Sequence, residues 1–324
     1  MHDYARLINA VAKADATMPP EWDTDKALKF VEQVVIRANN DPLLFADICD
    51  NALYGIHVPS IRCIIRLGIL NGLRRPEDAD EERVNEIYHN LVSEIECLPD
   101  DARKRRCDNF IWYQGRVWLS RSGRYKEAAE NEEEEIRYAA RPAEQAISAF
   151  LAHLYQLWHL LSTSSTHEAI SKQVEELKEY LPQLQAAVKG TDLEVQWGVA
   201  DGPIHLLEAM FLADQMDDGL LAANLQLLHD RRDSNQIPPV FHAWIDIFDA
   251  VSQVRHNSTD TAVALLNTML HRESRSYVAA VVRLALARIY RDCGLHAYKE
   301  YIKIVPAPNC HMIAAVAAKE LAAL

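Results

Sequence analysis

Apolar residues in this chain recur at helical spacing, and prolines and glycines fall where helices begin and end. Pro42, after Asp41, opens an apolar run that closes at Gly55, and Pro59 opens a second that closes near Gly72. Proline suits the first helical position because the N–H it lacks has no partner there, and glycine suits the position just past the end. From residue 78 onward, Val84, Ile87, Leu91, Ile95 and Leu98 lie three and four apart, one stripe of a helix. Pro99, Gly123, Pro142, residues 162–166, Gly190, Pro203, Pro238-Pro239, Asn257-Ser258, Gly294 and Pro306 divide the remainder of the chain into similar pieces. The pattern predicts roughly fifteen helices of about 10–22 residues joined by short loops, which make successive helices antiparallel neighbours. No period-two alternation competes, and 10 glycines in 324 residues are too few for the turns of a sheet protein or for phosphate loops. The expected class is all-α.

Acidic residues number 47 against 34 basic ones, a net charge of −13. A nucleic-acid binder must neutralise phosphates, so this balance argues against that role. Six cysteines without framework spacing read as reduced, mostly buried thiols. The opening residues show neither a basic nor an apolar leader region, and the apolar stretch 61–70 is interrupted by Arg62 and Arg66. The expectation is a soluble, cytoplasmic protein.

The most informative local pattern lies in residues 109–142. Trp112, Gly123 eleven residues on, Tyr125, Lys126-Glu127 and Ala128 resemble a tetratricopeptide repeat (TPR). In that family the Trp position lies on the first helix of a pair and Gly-x-Tyr makes the turn into the second. Gly123 can take the positive φ that closes a helix, and Ala128 adds no bulk at the crossing. The match departs from the family at Arg116, where a small residue is usual, and at Glu132 and Glu135; its closing proline comes two residues late, as Pro142. Weaker echoes are Leu286, Ala287, Tyr290 and Gly294, followed by His296 and Lys299 off-pattern, and Ala250 with Ala262. The resemblance implies antiparallel helix pairs stacked as a divergent TPR-like α-solenoid over residues 101–324, preceded by a helical portion, 1–100, that packs on its end.

No constellation for catalysis, a cofactor or a metal emerges. Cys293, His296, Cys310 and His311 are zinc-ligand types, but adjacent Cys-His is a poor chelating pair, so no zinc is expected. His205 with Glu208, and His242 with Asp246, read as surface pairs on helices. The segment from Gly198 to Pro203 lacks the lysine and spacing of a phosphate loop and reads as a turn between helices. Nothing resembles a nucleophile elbow. Glutamates 132–135 read as a solvated helix face. Arg103 to Arg106 oppose the dipole at a helix start, which suggests an external contact.

The function expected is a non-enzymatic adaptor or regulatory subunit that holds a partner peptide or helix in a concave groove. The alternative is a sensor or inhibitor subunit docking on an effector enzyme in a bacterial-type regulatory or defence system. In the family frame the first helices line the groove, which places Tyr113, Val117, Ser120 and Arg121 there, continued by Tyr155 and His159, while Trp112 and Leu119 pack inside. At positions where some TPR domains carry a Lys/Asn carboxylate clamp stand Tyr113, Gln114 and Val117, so a chaperone co-factor role is not implied. The partner expected is another protein or peptide, not nucleic acid or a membrane.

Overall fold

The computed structural model describes residues 33–34, 42–54, 59–73, 81–96, 119–120, 122–139, 141–163, 165–234, 236–237, 241–272, 276–296, 298–304 and 310–324. Among the described residues there are thirteen α-helices, one π-helical segment and no strand. None of the helices is long and apolar enough to cross a membrane. The chain divides into two compact units, Met1–Trp118 and Leu119–Leu324, a boundary later than the division at residue 100 that the sequence suggested.

The first unit holds α1 (Pro42–Leu53), α2 (Pro59–Leu73) and α3 (Glu81–Glu96). Both prolines stand at first helical positions, and α2 packs against α1 and α3. The α3 stripe of Val84, Ile87 and Leu91 is buried, as are Phe45, Ile48, Ile61, Ile65 and Ile69. Each such side chain taken out of water stabilises the fold by about 1.5–3 kcal/mol.

The second unit runs through α4 (Tyr125–Tyr138), α5 (Pro142–Ser162), α6 (His167–Val188), a π-helical segment (Glu194–Asp201), α7 (Gly202–Leu212), α8 (Asp218–Asp233), α9 (His242–Arg255), α10 (Thr259–Arg272), α11 (Ser276–Asp292), α12 (Tyr298–Tyr301) and α13 (His311–Ala322). Successive helices pack on one another, and a second set of contacts links alternate ones: α5 to α7, α7 to α9, α9 to α11 and α11 to α13. The final helix α13 also packs against α5. There the Lys319 ammonium donates to the carbonyls of Leu161 (2.6 Å) and Thr163, near the end of α5, and the Met312 N–H donates to the Tyr125 hydroxyl (3.0 Å).

Four helix ends in this unit close in the same way. Gly123 (φ +75°), Asp214 (+55°), Asn257 (+62°) and Gly294 (+70°) occupy the left-handed region. At each, that residue's N–H reaches the carbonyl three residues back, and the next N–H reaches the carbonyl five back, as in Arg124 to Leu119 (2.8 Å) and Gln215 to Met210 (2.9 Å). This is the double closure that satisfies orphan carbonyls at a helix C-terminus.

Two sequence readings are corrected. Gly198 to Pro203 form no turn: the π-helical segment runs straight into α7. Gly202 is required because a Cβ there would lie 2.5 Å from the Trp197 carbonyl oxygen, which the wider π turn places against it. The run 132–135 is not wholly solvated either, since Glu132 is fully buried within the densely packed α4–α5 pair.

Candidate functional site

The ends of α7, α9 and α11 enclose a groove of about 180 Å³, enough for one or two apolar side chains. Its apolar lining comes from Phe211 and Met216 at the end of α7, Val251 and Val254 on α9, and Ala285 and Ile289 on α11. Asp214, Arg255, Arg288 and Asp292 supply the charged part. Asp214 stands on the rim because its left-handed conformation ends α7 there. Asp and Asn are the residues other than glycine that tolerate this conformation best. The Asp214 side chain is 60% exposed and lies 3.8 Å from Arg288 and 3.6 Å from Arg291.

Arg288 builds one wall. It is only 6% exposed, and a buried guanidinium has to find acceptors. It donates to the carbonyls of Phe211 and Leu212 at the end of α7 and, through Nε (3.1 Å), to Glu320 of α13. Its guanidinium carbon also sits 4.7 Å from the centre of the Phe211 ring. Glu320 further accepts from the Tyr301 hydroxyl (2.7 Å). Burial holds the Tyr301 phenol well above its ordinary pKa, so the hydroxyl remains a donor. The wall is therefore a satisfied charge network joining α7, α11, α12 and α13.

The residues expected from sequence to line a groove are placed differently. Tyr113, Val117 and Arg121 lie outside the described residues, as do Trp112 and the Arg103 to Arg106 cluster. Ser120 is half-buried in a helical position ahead of the Gly123 turn, where its carbonyl accepts the Gly123 N–H at 3.3 Å. Tyr155 is corrected: at 6% exposure it packs edge-on against Trp158 (5.3 Å between ring centres) and is a core residue, not a groove contact. Its position turns it inward because α5 is covered by α4, α6, α7 and α13. His159 is half-buried on the same helix. Leu119 is buried.

The pair His205 and Glu208 is also not a surface pair. Glu208 is buried, its carboxylate receives the Tyr277 hydroxyl of α11, and its other oxygen lies 3.3 Å from His205 Nδ1. The His205 ring is flanked by Trp197 and Trp158, with centres 6.3 and 6.5 Å away. Burial raises the Tyr277 phenol pKa, and the adjacent Glu208 charge raises it further. Sequence reasoning missed this cluster because Tyr277 lies far along the chain; the uniformly apolar neighbours of Glu208 were the available signal. Asp246, four residues after His242 on α9, accepts from Arg232 (3.1 Å). Of the zinc-type residues, Cys293 and His296 are exposed and Cys310 is buried, and among the described residues no three His, Cys, Asp or Glu side chains converge.

No family model matches the chain, and no curated protein or solved structure matches it either.

Proposed function

We propose that the protein is a non-enzymatic interaction protein, an adaptor or regulatory subunit, whose second unit is a divergent TPR-like array of antiparallel helix pairs. In that frame α5, α7, α9 and α11 are the first helices of successive pairs. Left-handed closures end α7, α9 and α11 at Asp214, Asn257 and Gly294, and Gly123 makes the same closure just before α4, which supports the reading. The observation that carries the function is the groove itself: it spans three consecutive first helices, the face that carries partners in such arrays. Its occupant is a peptide or helix that inserts one large apolar side chain and carries basic residues beside it. The chain's net charge of −13 steers such a segment inward and disfavours an acidic one.

Site-specific photocrosslinking in the full chain tests this. A crosslinker at Val254 or Met216 should capture one partner segment rich in apolar and basic residues, and a crosslinker at exposed Ala222 should not. Val251→Glu, which places a charge on the half-buried groove wall, should abolish capture while helix content stays intact. Equal capture at Ala222, or capture indifferent to Val251→Glu, would refute the assignment.

A further inference from the structure

The first unit holds a cavity of about 450 Å³ between the end of α1 and the sides of α2 and α3, within the size range of small-molecule sites. One end is cationic. Arg62 and Arg66 stand one turn apart on α2, and a single carboxylate, Glu94 of α3, accepts from the Nε of both at 2.9 and 3.0 Å. Arg62 also donates through Nη1 to the Leu53 carbonyl (2.7 Å). Glu94 therefore orients two guanidinium planes. Arg66 is only 12% exposed in its side chain, and neither of its Nη groups meets an acceptor among the described residues. A guanidinium carries five N–H donors, and the Nη donors of Arg66 are not sealed from solvent, so they stay open to a ligand. Those of Arg66 lie in the cavity wall.

The rest of the lining has the opposite sign. Arg83 is held between two carboxylates, Asp47 (2.9 Å) and Asp50 (2.6 Å), and exposed Glu86 has no cation beside it among the described residues. A simple dianion would gain from Arg66 but meet Asp50 and Glu86, whereas a ligand with one charge of each sign matches both ends. Leu53, Ile87 and the exposed ring of Tyr54 offer apolar surface between them.

We propose that this cavity binds a free amino acid, with its carboxylate on the Nη groups of Arg66, its ammonium toward Asp50 and Glu86, and its carbon skeleton against Leu53 and Ile87. Arginine's planar fork suits a carboxylate bidentately. A small ligand held here is what a sensor subunit requires. The site is independent of the groove in the second unit, so either assignment can fail without the other.

Thermal unfolding of the full chain with the twenty α-amino acids and with ω-amino acids of increasing length provides the test. Acetate, inorganic phosphate and methylamine serve as single-charge probes. At least one amino acid should raise Tm, and the rise should grow with the logarithm of its concentration. Glu86→Gln, an exposed change, should weaken binding about tenfold, as expected for loss of one charge-assisted contact. Arg66→Gln should abolish binding, with circular dichroism confirming that it folds; if it does not fold, Glu86→Gln decides alone. The proposal is overturned if no amino acid raises Tm, if acetate or phosphate raises it as much, or if binding ignores Glu86→Gln.

Discussion

Replacing Arg288 with Met isolates the charge network that walls the groove. Methionine keeps most of the packing volume, so what is lost is polar. The guanidinium serves the Phe211 and Leu212 carbonyls and the Glu320 carboxylate. Phe211's carbonyl still accepts the Asp214 N–H at 3.0 Å, and Glu320 keeps the Tyr301 hydroxyl at 2.7 Å and Arg291 at 3.5 Å. Removing one partner of a buried ion pair costs about 3–5 kcal/mol, and these residual contacts place the loss at the lower end, about 3 kcal/mol. For a unit of this size that lowers Tm by roughly 6–12 °C. Glu320→Met should cost a similar amount. The double variant should cost clearly less than the sum, because neither charge is then left alone. Urea unfolding followed by circular dichroism measures all three. A loss below about 0.5 kcal/mol for Arg288→Met, the range of ordinary surface changes, or strict additivity in the double variant, would refute the account of the wall.

Gly123→Val should destabilise by about 1–3 kcal/mol, since it forces a β-branched residue to φ +75° and sets a Cβ 3.2 Å from His311; an unchanged Tm would rule out the tight turn. Asp217 caps α8 by accepting the Leu220 N–H at 2.9 Å, so Asp217→Ala should cost about 1 kcal/mol at neutral pH. That hydrogen bond holds the Asp217 carboxyl below its ordinary pKa, so its contribution is present above about pH 4 and is lost as pH falls through the folded value; the gap between wild type and variant should close in acid. Burial raises the phenols of Tyr125, Tyr277 and Tyr301, so their contribution is complete below about pH 10 and declines as pH rises above it. Absorbance at 295 nm should then show part of the 12 tyrosines ionising only with alkaline unfolding.

The helices were legible because their signals are local. Pro42 and Pro59 begin helices, the 84–87–91 stripe is buried, and Gly123 and Gly294 end helices at positive φ. The repeat of that closure was only half legible, because Asp214 and Asn257 fill two of the four positions and carry no glycine to mark them. Packing partners were not legible. A helix with several possible apolar faces can turn Tyr155 or Glu132 either way, and what decides for Tyr155 is the covering of α5 by α4, α6, α7 and α13, the last from the far end of the chain. The groove escaped for the same reason, since its lining comes from residues 211 to 292 and no single segment carries its pattern.

The return of α13 explains why that groove has a fixed shape. In an open stack the last helix would touch only its predecessor, whereas α13 meets both α11 and α5. Its first turn is tied to α4 through Met312 and Tyr125, and its last turn to the end of α5 through Lys319. Burial disfavours the charged Lys319 ammonium, yet the free carbonyls of a helix C-terminus are what a cation stabilises best. With both ends of α13 held, Glu320, next to Lys319 in the last turn, holds Arg288, and Arg288 holds the end of α7 beside α11. The groove wall is thus determined by contacts that a partner does not have to make. On the function proposed above, a partner entering it would order little of the protein, and its discrimination would come from fit to a preorganised surface, not from folding on contact.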